Sequence, residues 1–272
     1  MATLYRLAST DRPEQLNLKL QRGSTNRQAV SLKILRYDKL ESTNSTAYRL
    51  GEGGADEWTV VVARSQTKGR GRVGKKWMSP KGGLWFSIIL RPSIPSVRVP
   101  ILQFFAANAT REAIERQTGL RPRVKWPNDL VLESGKLGGI LVESKTQGEK
   151  VHFAVVGIGL NINQPKSKLP EGATSTLLNM GKRIETLRLL RSIVHGFEST
   201  YDRLSNPSKI AEEWWRNCIH RPLKVKVSLS NGSIVGITRS MDSEGNLIVE
   251  TDDHRIHTVN DGTLRLLAAS RG

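Results

Sequence analysis

The sequence predicts an α+β fold, with a large domain of strands and helices followed by a small all-β domain. Strand-like and helix-like segments are mixed before residue 220 without strict alternation, which favours helices covering a largely antiparallel or mixed sheet. After Pro222, short alternating runs are separated by Asn-Gly, Glu-Gly and Asp-Gly turns, and this spacing is typical of an SH3-like β-barrel. With 272 residues, the chain can build both units. We therefore expect an N-terminal extension over residues 1–33, a main domain over 34–220 and a small β-domain over 221–272.

The elements of the main domain are predicted from hydrophobic spacing and from signals at their ends. The clearest helix covers residues 100–119, where apolar side chains recur every four residues between a starting proline and a closing glycine. In chain order we predict a strand from residue 32, a helix after 42, strands over 59–63 and 84–90, a helix over 100–119, paired strands around 138–143 and 153–159, and helices over 186–204 and 208–218.

Composition limits the classes of function. The formal net charge of +17 calls for an anionic partner, and nucleic acid, an acidic protein and a membrane surface all qualify. The single cysteine, Cys218, excludes an intramolecular disulfide and fits a reducing compartment. No Cys/His spacing suggests a structural zinc site, and no apolar run approaches membrane-spanning length. We therefore expect a soluble, cytoplasmic protein.

The most informative segment is Gly-Arg-Gly-Arg-Val-Gly-Lys-Lys-Trp at residues 69–77, which imitates two nucleotide-binding signatures. It contains G-x-G-x-x-G and also G-x-x-x-x-G-K, without the Ser or Thr that completes a P-loop. Both signatures need a following helix to receive phosphate, whereas residues 80–83 lead into another strand. Seven basic and no acidic residues between positions 64 and 81 favour an anion site. Taken alone, the loop is equally well a lid over an anionic ligand or a solvated loop that touches nucleic acid.

Four further segments place polar side chains beside glycine or proline at strand ends. Each also has an ordinary structural explanation, such as a helix cap, a self-bonded turn or a solvent-facing lysine. The pair Gly138-Gly139 inside an apolar strand indicates that another group approaches the backbone closely. A lysine, an amide and a carboxylate within residues 125–129 can hold a phosphate and its metal ion. The segments are Ser-Thr-Asn at 42–44, Lys-Trp-Pro-Asn-Asp at 125–129, Lys-Leu-Gly-Gly-Ile at 136–140 with Glu143, and Gly-Ile-Gly-Leu-Asn-Ile-Asn at 157–163.

Taken in order, the five motifs resemble those of the biotin–protein ligase (biotin–[acetyl-CoA-carboxylase] ligase) family, from about residue 34 to the C-terminus. The resemblance implies a class II synthetase-like catalytic domain with a mixed sheet, and an SH3-like domain where the family has one. Regulatory members of the family carry an N-terminal winged helix-turn-helix that binds DNA. Too few residues precede Leu32 for that unit, so we expect the form without it and no repressor role.

The resemblance also implies a role for each motif. The biotin pocket would be lined by Ser42, Thr43, Asn44 and Gln66. A lid over biotin and the adenylate would include Arg70, Gly71 and Arg72. Lys136 would meet the biotin carboxyl and the reacting phosphate. Lys136, Arg70 and Arg72 are the expected catalytic residues. Lys75, Lys125, Asn128, Asp129 and Asn161 would lie near ATP, with Asp129 near Mg²⁺. Many family members carry Arg where this chain has Lys75, which keeps the charge but loses the bidentate fork.

The implied reaction joins biotin to ATP as biotinyl-5′-AMP and then transfers biotin to a lysine of the biotin carboxyl carrier protein, an acidic carrier domain. Because charge gathers on the reacting phosphate, such catalysis consists mostly of positioning and cationic stabilisation. No Ser-His or Cys-His pair for a covalent intermediate is evident in the sequence. A homodimer is compatible with the resemblance.

Two other functions are considered. A lipoate or octanoyl ligase would share the fold, but the Gly-Arg loop together with Lys-Trp-Pro-Asn-Asp favours biotin. A basic nucleic-acid-binding protein would explain the net charge of +17. It would interleave exposed aromatic and basic residues, whereas most aromatic residues of this chain stand in apolar runs.

Overall fold

The computed structural model describes residues 13–20 and 30–267, which form two sheets and five α-helices. The first sheet contains β1 (Glu14–Leu20), β2 (Val30–Leu40), β3 (Thr59–Gln66), β4 (Leu84–Leu90), β5 (Arg123–Lys125), β6 (Asp129–Leu132), β7 (Gly135–Gln147) and β8 (Lys150–Leu160), in the spatial order β1-β2-β3-β4-β8-β7-β6-β5. The helices are α1 (Thr43–Glu52), α2 (Ile101–Thr118), α3 (Thr176–Met180), α4 (Thr186–Thr200) and α5 (Pro207–Arg216). Because β2 and β3 are parallel and all other neighbours are antiparallel, the predicted mixed sheet is confirmed.

The helix ends follow from local chemistry. Pro100 precedes α2, and Gly119 ends it in the left-handed conformation at φ 72°, where glycine has no steric penalty. The Ser42 hydroxyl caps α1 by accepting a hydrogen bond from the Ser45 amide at 3.3 Å. Helix α4 is shorter than predicted because residues 201–205 form a 3₁₀ turn, and α5 starts one residue earlier than predicted and ends two residues earlier.

The two faces of the sheet are covered unequally. Helices α2, α4 and α5 pack on one face over the main hydrophobic core, which includes the buried rings of Phe86, Phe197 and Trp214. Of the helices in the described part of the chain, α1 packs on the other face, over a smaller cluster around Phe153 and Val155. Part of this second face is therefore left for a cavity.

Part of the predicted N-terminal extension belongs to the sheet. Strand β1 pairs with β2 from Glu14 opposite Arg36 to Leu20 opposite Val30, so the sheet begins before residue 34. The other residues of the extension lie outside the described part of the chain, and the domain limits stay a prediction. Within the described ranges, no helix combines the length and the apolar character needed to cross a membrane.

The C-terminal strands form the second sheet, as predicted, and pack onto the main domain. Gly245, at φ 88°, lies against the ring of Phe104, where an added Cβ would come within 2.1 Å of the ring. The contact therefore requires glycine on grounds of both conformation and space. The strands are β9 (Lys224–Leu229), β10 (Gly232–Met241), β11 (Leu247–Glu250), β12 (Ile256–Val259) and β13 (Thr263–Leu266), in the order β12-β11-β10-β9-β13.

Candidate active site

A cavity of about 240 Å³ lies on the face of the sheet where α1 begins, and both domains line it. It gathers the predicted site residues Ser42, Thr43, Asn44, Gln66, Arg70, Gly71, Arg72, Lys75, Lys125, Asn128, Asp129 and Lys136. Its lining contains six Lys or Arg side chains against two carboxylates, so the cavity suits an anion.

Asn161 is the predicted site residue that does not line this cavity. It is buried, and its side-chain amide points to the main-chain oxygen of Lys136 at 3.4 Å. Asn161 therefore supports the strand that carries Lys136. Its contact with a nucleotide stays a prediction.

The floor of the cavity is made by glycines of β7 and β8. A Cβ at Gly157 would lie 1.8 Å from the Asn44 side-chain oxygen, and a Cβ at Gly159 would lie 2.5 Å from the Trp77 indole nitrogen. A Cβ added at Gly139 would likewise lie 3.2 Å from the Trp77 ring. The close approach that the pair Gly138-Gly139 indicated is therefore real: Trp77 approaches Gly139, and Leu160 with the Gly159 carbonyl approaches Gly138. Asn44 makes the same kind of approach at Gly157.

Hydrogen bonds fix the polar end of the cavity, at the start of α1. The Ser87 hydroxyl lies 2.8 Å from the Thr43 hydroxyl and 2.6 Å from the Asn44 side-chain oxygen. The Asn44 amide donates to the Glu143 carboxylate at 3.0 Å, and the Thr43 amide donates to the Gln66 side-chain oxygen at 2.7 Å. Because these groups are mutually satisfied and mostly buried, this end is formed before any ligand binds.

The Gly-Arg loop is a hairpin that crosses the cavity. Its arms pair at Gln66 with Ser79 and at Arg70 with Lys76. The Arg70 guanidinium contacts both oxygens of Glu143, at 3.1 and 2.8 Å, which fastens the hairpin to β7 below its tip. At the tip, Arg72 forms an ion pair with Asp261 of the C-terminal sheet.

Lys136 stands at the entrance of β7, as the sequence predicted, with its ammonium group inside the cavity lining. Its Nζ lies 2.7 Å from the Asp129 carboxylate and 4.9 Å from the ring centroid of Trp77. A carboxylate and an aromatic face both attract a cation, so together they aim the ammonium group.

The turn at residues 126–128 is held from two sides. The Asn128 side-chain amide donates to the Ile140 carbonyl at 2.8 Å, which attaches the turn to β7. The Trp126 backbone amide donates to Nε2 of His220 at 3.2 Å. Burial, together with the charges of Lys125 and Arg123, lowers the pKa of His220 to about 4, so its ring is neutral and accepts this bond.

Several residues of the site were not predicted. Trp77 was named only as the end of a motif, and the glycines that its ring covers are the signal that could have indicated it. Ser87 carries no sequence signal because it is an ordinary polar residue inside an apolar strand. Asp261 precedes a glycine that marks a turn, but nothing local places that turn beside the hairpin.

Two carboxylates line the cavity, Asp129 beside Lys136 and Asp261 beside Arg72, and Asp129 is the one that was expected near a metal ion. The described residues contain no group of three or more His, Cys, Asp or Glu side chains that could hold one. A protein cage of the calcium or zinc type is therefore not built here, whereas Mg²⁺ needs only one or two carboxylates when substrate phosphates supply its other ligands.

Comparison with known proteins identifies related chains and a related fold. The model of the biotin/lipoate A/B protein ligase family matches residues 38–161. The bifunctional ligase/repressor BirA of Bacillus subtilis is 33% identical over 258 residues, which cover 92% of this chain and 78% of that protein. The biotin–[acetyl-CoA-carboxylase] ligase of Mycobacterium tuberculosis is 32% identical over 77% of this chain and 80% of its own length. The structure of the biotin protein ligase from Aquifex aeolicus in complex with biotin and ATP has a TM-score of 0.73 at 27% identity and covers 86% of this chain and 99% of that one.

Fold and site thus define a ligase of the biotin/lipoate type. Within that class, the chain belongs to the biotin–protein ligase family, which confirms the prediction from its five motifs. The predicted fold class, an α+β catalytic domain with a mixed sheet followed by a small β-domain, is confirmed as well.

Proposed function

We propose that this protein activates biotin with ATP as biotinyl-5′-adenylate and then transfers biotin to a lysine of the biotin carboxyl carrier protein of acetyl-CoA carboxylase. The observation that carries the proposal is that a single cavity unites a preformed polar end, a hairpin with two arginines and the Lys136 ammonium group. The relatives named for biotin ligation and the related structure that holds biotin and ATP support the choice of substrates.

Biotin fits the end of the cavity at the start of α1. Its ureido group needs both donors and acceptors, which Ser42, Thr43, Asn44 and Gln66 can supply. Its apolar ring and chain would lie against the Trp77 side chain, which covers the glycines of the floor. The Trp77 indole N–H is buried against Gly159 and has no hydrogen-bond partner in the described residues.

In the first step, a carboxylate oxygen of biotin attacks the α-phosphorus of ATP, and the bond from that phosphorus to the pyrophosphate oxygen breaks. Two anions approach each other and charge grows on the phosphoryl oxygens, so nearby cations lower the barrier. Lys136 would contact both the carboxylate and the phosphate, and Arg70 and Arg72 would close over the product. Each cation already has a carboxylate neighbour, which the anionic substrate would replace or share.

Lys125, Lys75 and Asn128 line the same cavity and would face the triphosphate. Lys75 supplies charge there but not the bidentate contact of an arginine. Mg²⁺, when bound, neutralises charge on the phosphates, and Asp129 is the carboxylate that would hold it.

In the second step, the amine of the acceptor lysine attacks the carbonyl carbon of the adenylate. The bond to the phosphate oxygen breaks, AMP leaves, and the amine loses a proton to form the amide. The chain needs no covalent intermediate for this route. The hairpin must keep water from the anhydride and then admit the lysine.

The acceptor is proposed to be an acidic carrier domain because the chain carries a net charge of +17, which favours encounter with a negative surface. The buried, unpaired Cys218 supports a reducing compartment, and we place the reaction in the cytoplasm.

The test is incubation with biotin, Mg²⁺ and ATP labelled at the α-phosphate, with and without a biotin carboxyl carrier domain. We expect labelled biotinyl-adenylate on the protein without the acceptor, and biotinylated acceptor plus AMP with it. Parallel reactions with lipoate and octanoate test the related activities of the same family. Failure to form biotinyl-adenylate would refute the proposal.

A further inference from the structure

The tip of the hairpin contacts the C-terminal sheet through one ion pair. The Arg72 guanidinium donates to the Asp261 carboxylate, and the two residues are 189 positions apart in the chain. Both residues line the cavity, together with Gly262, Thr263 and Leu264. The C-terminal domain thus reaches the site at the point where the hairpin ends.

The carboxylate of this pair is held in a fixed position. The Asp261 oxygen that receives Arg72 also accepts a hydrogen bond from the Gly262 amide at 2.7 Å. Gly262 has φ 152°, and an added Cβ would lie 2.9 Å from the Ser228 carbonyl, so the turn requires glycine. Directly after the turn, Leu264 is buried opposite Val227 in the sheet.

The arginine side of the pair has little support of its own. Residues 72–74 form a 3₁₀ turn with no buried residue. Val73 stands in the left-handed region at φ 51°, a conformation that a β-branched residue rarely adopts, and the residue is 80% exposed. Arg70, in contrast, is fastened to the main domain through Glu143. The position of the tip therefore depends on Asp261.

We propose that Asp261 is a positioning residue that holds Arg72 over the cavity, so that the C-terminal domain completes the lid. The inference rests on the proposed function, because the anion that Arg72 meets is the phosphate of biotinyl-adenylate. The contact occupies one of the five N–H donors of the guanidinium, which leaves the others for the phosphate. Asp261 also repels that phosphate, but its side chain is 57% exposed, so water screens the repulsion more than it screens the direct contact with Arg72.

The experiment measures how fast preformed, labelled biotinyl-adenylate leaves the wild-type protein, D261N, R72A and the double variant. Asparagine keeps the oxygen that Gly262 bonds but removes the charge that attracts Arg72. We expect D261N to release adenylate about five-fold faster, as for loss of a half-exposed ion pair, with the KM for biotin little changed. In the R72A background, the D261N change should add nothing, because Asp261 acts through Arg72.

Asp252 provides the matched control, since it forms an exposed ion pair with Lys224 in the same domain, away from the cavity lining. D252N should release adenylate at the wild-type rate. D261E, which keeps the charge, should restore most of the retention, and thermal unfolding of each variant checks that it is folded.

Three results would overturn the inference: D261N retaining adenylate as firmly as the wild type, D261N retaining it more firmly, or additive effects of D261N and R72A. If the wild-type protein forms no adenylate, it is the proposed function that fails. If the wild type forms adenylate and D261N behaves identically, only the role of Asp261 fails.

Discussion

The two ends of the cavity are built on different principles. The end at the start of α1 consists of buried polar groups that satisfy one another, such as Ser87 with Thr43 and Asn44. The end under the hairpin consists of cations paired with carboxylates that are partly exposed, namely Arg70 with Glu143, Arg72 with Asp261 and Lys136 with Asp129. The first end is ready for a neutral, shaped ligand, whereas the second must share its internal partners with the anion that it binds or exchange them for it.

This difference predicts which measurements respond to a substitution. Changes at the buried end should alter stability and the binding of biotin. Changes at the charged end should alter the chemical step and the retention of the adenylate while the fold stays intact.

The largest effect is expected for Lys136→Ala. Removing a cation that touches the reacting phosphate typically costs about 100-fold or more in rate, so adenylate formation should be abolished in practice. The measurement is single-turnover formation of labelled adenylate. Lys145→Ala is the control, because Lys145 lies on the same strand but pairs with Glu52 outside the cavity lining. Equal activity of K136A and K145A would contradict the assignment of the charged end.

The second effect concerns pH and the buried His220. Its pKa is about 4 in the folded protein and near 6.5 when unfolded, so the unfolded chain binds the proton first as pH falls. The free energy of unfolding therefore has its full value above pH 6.5. It falls progressively towards pH 4, by an amount on the order of 3 kcal/mol.

His220→Gln keeps an acceptor for the Trp126 amide and removes the titration, so its free energy of unfolding should fall less steeply between pH 6.5 and 4. Denaturant unfolding at several pH values gives the comparison. Parallel curves for H220Q and the wild type would exclude His220 as the source of the slope.

The third effect is expected for Gly157→Ala at the buried end. The new Cβ would displace Asn44, and such overpacking typically costs about 1–3 kcal/mol of stability. The KM for biotin should rise by about ten-fold as the polar end is distorted. Gly53→Ala is the control, since its added Cβ would meet atoms only at 3.5 Å, an ordinary contact. A G157A protein with unchanged biotin KM would show that Asn44 does not contact the ligand.

The smallest effect is expected for Glu143→Gln. Glu143 lies where the two ends meet. Glu143 bonds both the Asn44 amide and the Arg70 guanidinium. Because the pair is partly exposed, its loss should cost about 1 kcal/mol or less, and the KM for biotin should rise roughly three- to five-fold. Steady-state kinetics measure the KM for biotin. The control is Glu52→Gln, which removes the ion pair to Lys145 and should leave this KM unchanged. A loss comparable to that of K136A would mean that Glu143 takes part in the chemistry.

The fold was largely predictable because its elements carry local signals. Helix α2 is marked by Pro100, its apolar spacing and Gly119, and the C-terminal strands are separated by glycine turns. Strand β1 was missed although Leu16, Leu18 and Leu20 alternate with polar residues, because its pairing with β2 depends on the edge of a sheet that the sequence does not show.

The candidate site was predictable as a set of motifs but not as a set of contacts. The Gly-Arg hairpin, Lys136 and Ser42–Asn44 were recognised from residue types and their order, and the structure places them in one cavity. Asn161 lies outside the cavity lining with its side-chain amide pointing to the Lys136 carbonyl, and its contact with a nucleotide stays a prediction.

The sequence by itself determined the class of fold, the order of the motifs and the positions where glycine had to leave room beside the backbone, because periodicity and backbone conformation are local properties. Only the tertiary structure decided what fills that room, which is Trp77 and Asn44, and which carboxylate receives Arg72. Those partners are brought together by the packing of two domains, and a contact across 189 residues leaves no mark in the local sequence of either side.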